Sequence, residues 1–139
     1  MADLRIIVAG AAGRMGRMVV RAIHGQAGFR LVGALERDDS PWLGHDPGPL
    51  AGCPDAGLEI VADPLPLLAN AEAIIDFSSP NGTVELAGLA AQARIADVVG
   101  TTALACYESP EYRAATALRQ KASATDLVII EGYDGAQPA

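Results

Sequence analysis

The chain has 139 residues, half of them hydrophobic and 19% charged, which suits one folded domain, argues against disorder and leaves little room for a second domain. Its net charge is −7 with no run of Lys or Arg, so a nucleic-acid backbone is not an expected partner. No apolar stretch approaches the ~20 residues of a membrane helix, and Asp3 and Arg5 flank a strand-length apolar run where a signal peptide would need a longer one, so a cytoplasmic chain with no membrane partner is expected. Cys53 and Cys106 lie far apart in no metal-ligand spacing, and neither a metal site nor a disulfide framework is expected. Aromatic residues are scarce at 4%, which leaves the packing to Ala, Leu, Val and Ile.

Two periodicities alternate along the chain. Leu4 to Ala9 is a short β-branched run that reads as a strand buried on both faces. After a turn at Gly10 to Gly13, Met15, Met18, Val19, Ala22 and Ile23 recur at helical spacing, and Gly25 and Gly28 close that helix. Phe29 to Leu35 is the second strand. Residues 38 to 57 hold four prolines, four glycines and Trp42, a composition that predicts a long surface loop. A third strand over Leu58 to Ala62, a helical turn or two over Pro64 to Asn70 and a fourth strand over Ala73 to Phe77 follow. Pro80 starts a helix that Val84, Leu86, Ala87, Leu89, Ala90 and Ala93 carry to about Arg94. Asp97 to Val99 is a fifth strand, Pro110 to Ser123 a polar-faced helix and Leu127 to Ile130 a sixth strand. Strands separated by helical segments of this length predict parallel βαβ units with right-handed crossovers. The expected fold is therefore α/β: a doubly wound, mainly parallel sheet of about six strands with helices on both faces.

The turn after the first strand has its glycines at the spacing GxxGxxG: Gly10, Gly13 and Gly16. That differs by one position from the dinucleotide fingerprint GxGxxG, but it follows a buried strand and opens a helix, the context that the chemistry requires. Gly10 lets the chain turn off the strand, Gly13 removes a Cβ where a pyrophosphate would approach, and Gly16 lets the helix pack closely. The first N–H groups of that helix lack intrahelical partners and suit an anion. A plain tight turn would use glycines too, so the second strand carries the argument further. Glu36 ends it about 20 residues beyond Gly16, where an acid would accept hydrogen bonds from the adenosine ribose of NAD. Arg37 follows, and its guanidinium would pair with the 2′-phosphate of NADP or stack on adenine. A solvated strand end is the plainer reading of that pair. Two further loops, Phe77-Ser78-Ser79-Pro80 and Gly100-Thr101-Thr102, fall at carboxyl ends of strands, where open parallel sheets bind ligands. Their hydroxyl groups would line the nicotinamide half, and Ser79 and Thr102 would also serve as helix caps.

These segments, Val8-Ala9-Gly10-Ala11-Ala12-Gly13-Arg14-Met15-Gly16, Ala34-Leu35-Glu36-Arg37, Ile75-Asp76-Phe77-Ser78-Ser79-Pro80 and Val99-Gly100-Thr101-Thr102, resemble in order and spacing the dihydrodipicolinate reductase family. Gly44-His45-Asp46 and Leu50-Ala51-Gly52 fit the family's long loop, and the similarity runs from about residue 4 to residue 102. The resemblance implies a Rossmann-type N-terminal domain that binds NADH or NADPH, in an enzyme of diaminopimelate and lysine biosynthesis that reduces a cyclic dicarboxylate by hydride transfer. It implies that Gly10, Ala11, Ala12, Gly13, Arg14, Met15 and Gly16 form the pyrophosphate loop. Glu36 and Arg37 would hold the adenosine ribose or its phosphate, and Gly100, Thr101 and Thr102, with Phe77 and Ser78, would line the nicotinamide.

The chain also departs from the family. Ala103 stands where the family has a glycine, a position at which positive φ would strain it. Gly132-Tyr133-Asp134-Gly135 stands where the family has an asparagine-containing loop leading to a second domain. That domain carries the family's His-His…Lys motif and the groups that grip the substrate. Here the histidines are His24 and His45 and the lysine is Lys121, so no catalytic residue is expected within this chain. Residues 1–131 are expected to form the dinucleotide-binding domain and 132–139 a tail, as in a truncated member without turnover of its own. Catalysis would need both the positioned reactants and a general acid, worth ~7–11 kcal/mol and ~10²–10⁴-fold. The whole family is tetrameric, mainly through the second domain, which leaves a monomer open for these residues. A stand-alone dinucleotide-binding sensor or interaction module is the alternative from another class. Aspartate-semialdehyde and homoserine dehydrogenases share the cofactor fold but lack the combination of Gly-Arg-Met-Gly and Asp-Phe-Ser-Ser-Pro.

Overall fold

Leu4–Ala9 form the first strand, β1, and its last four residues are buried because β1 lies at the centre of the sheet. A computed structural model describes residues 2–100 and the backbone of the strand Leu127–Ile129. Thr101, Thr102, Ala103, Cys106, Lys121, the helix expected over Pro110 to Ser123 and the segment 130–139 lie outside the described residues. The elements that follow β1 are α1 (Arg14–Gly25), β2 (Phe29–Leu35), α2 (Pro47–Leu50), β3 (Ile60–Val61), α3 (Leu65–Leu68), β4 (Ala73–Asp76), α4 (Pro80–Ala93), β5 (Ala96–Val99) and β6 (Leu127–Ile129). Among the described residues the strands form one six-stranded sheet in the order β3-β2-β1-β4-β5-β6, and every pairing is parallel. This is the doubly wound order of dinucleotide-binding folds, with its reversal between β1 and β4.

Alternation along β1 divides the core between two faces. Ile6 and Val8 point to one side, where Val20 and Ile23 of α1 cover them together with Ala34 and Ile60. Ile7 and Ala9 point to the other, against Ile74 and against Leu86 and Ala90 of α4. Ile7 and Ile74 are wholly buried, and side chains of this size contribute roughly 1.5–3 kcal/mol each when fully covered. Helices therefore lie on both faces, as the sequence predicts.

Several details depart from the sequence-based expectations. The buried face of α1 is Gly16, Val20 and Ile23, while Met15 and Met18 are exposed, and so is Ala22. The close seat of Gly16 on the turn below sets the helix rotation and turns the methionines outward. The segment 38–57 is partly ordered by α2 and is tied to β3 through Gly44 N–H to Ile60 O and Ile60 N–H to His45 O, both 2.9 Å. Asp46 organises it: Oδ1 accepts from Gly48 N–H at 2.8 Å and Ala56 N–H at 2.9 Å, and Oδ2 accepts from Gly57 N–H at 2.9 Å. β3 is Ile60–Val61 alone and not Leu58 to Ala62, with the Asp46-bound residues 56 and 57 before it and Pro64, the cap of α3, soon after.

Burial acts to raise the Asp46 carboxyl, but backbone N–H groups of Ala56, Gly48, Gly57 and Leu58 outweigh it and hold the group below the ordinary aspartate range. A lowered folded value gives stability that is complete above the ordinary range and disappears as pH falls through the lowered one. Asp46→Ala is expected to cost about 1–2 kcal/mol at neutral pH, as for a lost helix cap with added hydrogen bonds. In urea melts across pH, the difference from wild type should close in acid; a difference independent of pH would contradict this role.

At the end of α4, Arg94 adopts φ 59° and ψ 40°, the left-handed C-terminal conformation in which its N–H reaches Ala90 O and Ala91 O. Glycine adopts it without the Cβ cost. Arg94→Gly is therefore expected to raise the urea midpoint by the equivalent of about 0.5–1 kcal/mol, and a lowered midpoint would refute the strain. No helix among the described residues is long and apolar enough to cross a membrane.

Candidate functional site

The carboxyl ends of β1, β2 and β4 open on a cleft of about 620 Å³ at the reversal of strand order. Gly10, Gly13, Glu36, Arg37, Phe77 and Ser78 line it. Each glycine of the turn has a different neighbourhood. Gly10 has φ +73°, and a Cβ there would lie 2.5 Å from Phe77 O. A Cβ on Gly16 would overlap the Gly10 carbonyl. Gly13 is exposed, with φ −72° and ψ 170°, and a Cβ would meet only Gly10 O at 3.3 Å. The fold thus requires Gly10 and Gly16 to be bare, whereas Gly13 is crowded by that one oxygen alone.

Gly13 is also the N-cap of α1, and it has no side chain to cap the helix. The amides of Gly10 and Ala11 go to Leu35 O, that of Gly13 to Gly10 O, and that of Ala12 to Glu36 Oε1 at 2.9 Å. Those of Arg14, Met15 and Gly16 have no hydrogen-bond acceptor among the described residues. These are the N–H groups that a helix start leaves without partners and that carry its positive end. Ala11 is buried in the core under α1, so its side chain serves packing.

At the end of β2, Glu36 is half-buried and turned toward the turn through that bond to Ala12. Its Oε2 accepts from Arg37 N–H at 3.4 Å. The Arg37 guanidinium sits 3.4 Å from Asp39 Oδ1, with both side chains 70% exposed. At the end of β4, Asp76 is buried and its Oδ1 accepts from the Ser78 N–H at 2.8 Å and from the Ser78 hydroxyl at 2.5 Å. Ser79 caps α4 by accepting from Gly82 N–H at 3.2 Å, the structural role open to it from sequence. Gly100 donates its N–H to Asp76 O at 2.8 Å, and a Cβ on it would overlap the Phe77 ring. The two loops are in this way locked together beside the turn.

A model of the family described as dihydrodipicolinate reductase, N-terminus, matches residues 4–131. The chain belongs to the dihydrodipicolinate reductase family. A 4-hydroxy-tetrahydrodipicolinate reductase of Sinorhizobium fredii is 49% identical over 113 residues, which make up 81% of this chain and 42% of that protein. The reductase of Methylocella silvestris is 47% identical over 131 residues, 94% of this chain and 45% of its own length. The chain spans less than half the length of these curated relatives. A solved dipicolinate-bound dihydrodipicolinate reductase from Paenisporosarcina shares the fold, with a TM-score of 0.61 at 21% identity over 84% of this chain and 43% of that one. The chain thus corresponds to the N-terminal, dinucleotide-binding part of this family.

Among the described residues the structure brings Gly10, Gly13, Glu36, Arg37, Phe77 and Ser78 to one cleft and packs Gly16 against the turn and Gly100 against Phe77. Arg14 and Met15 stand exposed at the start of α1. Two residues escaped the sequence reading. Asp76 orients Ser78, and an acid closing an apolar strand was the available signal. Arg17 donates Nε–H to Ala12 O at 2.8 Å, a contact that no motif spacing announces.

Proposed function

We propose that the cleft holds NADH or NADPH as the hydride donor for reduction of the cyclic dicarboxylate after which the relatives are named. Gly13 carries this reading. The fold needs no glycine there, yet a side chain would stand in front of three amides that lack acceptors. A pyrophosphate fits that arrangement, because the bare backbone lets it approach and the helix start offers N–H donors. In this assignment Arg14, Met15 and Gly16 supply those donors, while Ala11 and Ala12 shape the turn from behind. Glu36 keeps Oε2 for a ribose hydroxyl. Arg37 meets a 2′-phosphate when it leaves Asp39, an exposed pair of the kind worth only about 0.2–1 kcal/mol. Both cofactors are therefore accepted.

The nicotinamide half lies toward Phe77, Ser78 and Gly100, with Thr101 and Thr102 assigned to the same rim. Bound there, a reduced nicotinamide supplies a hydride. The chain's own part is to bind and orient the donor, and the acid for the acceptor is assigned to groups outside residues 1–131. Residues 1–131 are assigned to this domain, and the substrate's carboxylates are assigned to groups outside it. The domain is assigned to the cytoplasm, a reading supported by the absence, among the described residues, of a helix long and apolar enough to cross a membrane. The test is calorimetric titration of NADH and NADPH into the 139-residue chain: one site for each is expected. A chain that melts cooperatively yet binds neither would sink the reading.

A further inference from the structure

Both peptide groups flanking the Cα of Ala12 are gripped by charged side chains. Its N–H donates to Glu36 Oε1 at 2.9 Å, and its C=O accepts from Arg17 Nε at 2.8 Å. The Arg17 guanidinium in turn lies over the indole of Trp42, 5.3 Å from the ring centroid. His45 meets the same indole edge-on, with ring centroids 5.3 Å apart. Trp42 packs on the α1 side of the core, and its segment is tied to β3. A continuous set of contacts therefore runs from the sheet edge, through the indole and the guanidinium, to the residue preceding Gly13.

We propose that Arg17 and Trp42 are positioning residues for the anion-binding turn. The inference rests on the reading that this turn holds the cofactor pyrophosphate. Ala12 is the hinge between the part of the turn tied to Leu35 and the part that opens α1. Holding its carbonyl fixes the direction in which Gly13 and the first helical amides point. Arginine suits the task, because its Nε–H donates to Ala12 while the charged guanidinium carbon lies over the indole. Lysine carries a methylene where arginine has Nε, so it lacks the donor at the position that meets Ala12.

The test uses the 139-residue chain and the variants Arg17→Met, Arg17→Lys, Trp42→Leu and Arg17→Met with Trp42→Leu, each checked for its melting transition. NADH affinity is read by calorimetry. Trp42 is the chain's single tryptophan, so its emission reports on the contact when ADP-ribose, which takes no energy transfer from it, is added. Arg17→Met is expected to weaken NADH binding about tenfold, as for loss of one charge-assisted hydrogen bond. Saturating ADP-ribose should shift the Trp42 emission in the parent and leave it unmoved in Arg17→Met. Trp42→Leu should weaken binding in the same direction and add little to Arg17→Met, because it acts through the arginine. NADH affinity within twofold of the parent in Arg17→Met, or effects that multiply in the double variant, would overturn the proposal. If Arg17→Met loses its melting transition, Arg17→Lys decides by the same two criteria. A parent chain that binds no NADH would instead count against the cofactor reading itself.

Discussion

Gly13→Val weakens the binding of NADH and NADPH about a hundredfold or more, an expected loss of ~2.7 kcal/mol or greater, while the unfolding transition moves by no more than about 1 kcal/mol. The asymmetry follows from what surrounds the residue. Gly13 already has the negative φ that any amino acid adopts, and its added Cβ meets one carbonyl oxygen at 3.3 Å. Gly13 lies exposed at the helix start, and a shift of its own backbone by a few tenths of an ångström relieves that contact, so the folded state tolerates the change. The ligand does not, because the isopropyl group fills the space in front of the Arg14, Met15 and Gly16 amides. Calorimetric titration beside a urea melt reads both sides of the prediction. Parent-like affinity in a folded variant would place the pyrophosphate elsewhere.

Gly16→Ala should do the opposite and lower stability by roughly 3 kcal/mol or more, with weakened binding as a consequence. Its Cβ overlaps the Gly10 carbonyl, and the other close atoms are backbone as well, so no side chain can swing aside. Gly10 cannot retreat either, since it is held at φ +73° against Phe77 O. The strain is relieved only by lifting α1 from the sheet, which uncovers Val20 and Ile23. Each of those side chains contributes roughly 1.5–3 kcal/mol while covered, against a total stability of about 5–15 kcal/mol for a domain of this size. Urea unfolding measures the loss, and an unchanged midpoint would show that the helix is not seated as described.

Opposite behaviour of two glycines three residues apart marks where sequence reasoning is strong and where it thins. The parallel sheet, its reversal and the glycine turn were legible because β1 is a buried β-branched run and Gly10, Gly13 and Gly16 punctuate it at fixed spacing. The steric roles of Gly10 and Gly16 were legible from their places in the motif as well. Helix rotation was not. The helical pattern included Ile23, which is buried, but it also pointed to Met15 and Met18, whereas the requirement at Gly16 put Val20 inward in their place. The order within residues 38 to 57 was hidden for another reason. It depends on one aspartate, Asp46, reaching amides ten and eleven residues away, and local composition carries no trace of such a reach. Glu36 shows a third limit: its place at the strand end was predicted, but its bond to Ala12 arises only when two distant segments meet.

The brevity of β3 also affects how the molecule behaves in a crowd. At that margin the sheet has two residues, Ile60 and Val61, and both backbone groups of Ile60 are already bonded, its N–H to His45 O and its C=O to Gly44 N–H. A neighbouring molecule seeking to lengthen the sheet by hydrogen bonding would find those positions taken, and Pro64 and α3 turn the chain away just beyond. The segment at Gly44 and His45 thereby protects the protein against stacking into fibres on that side.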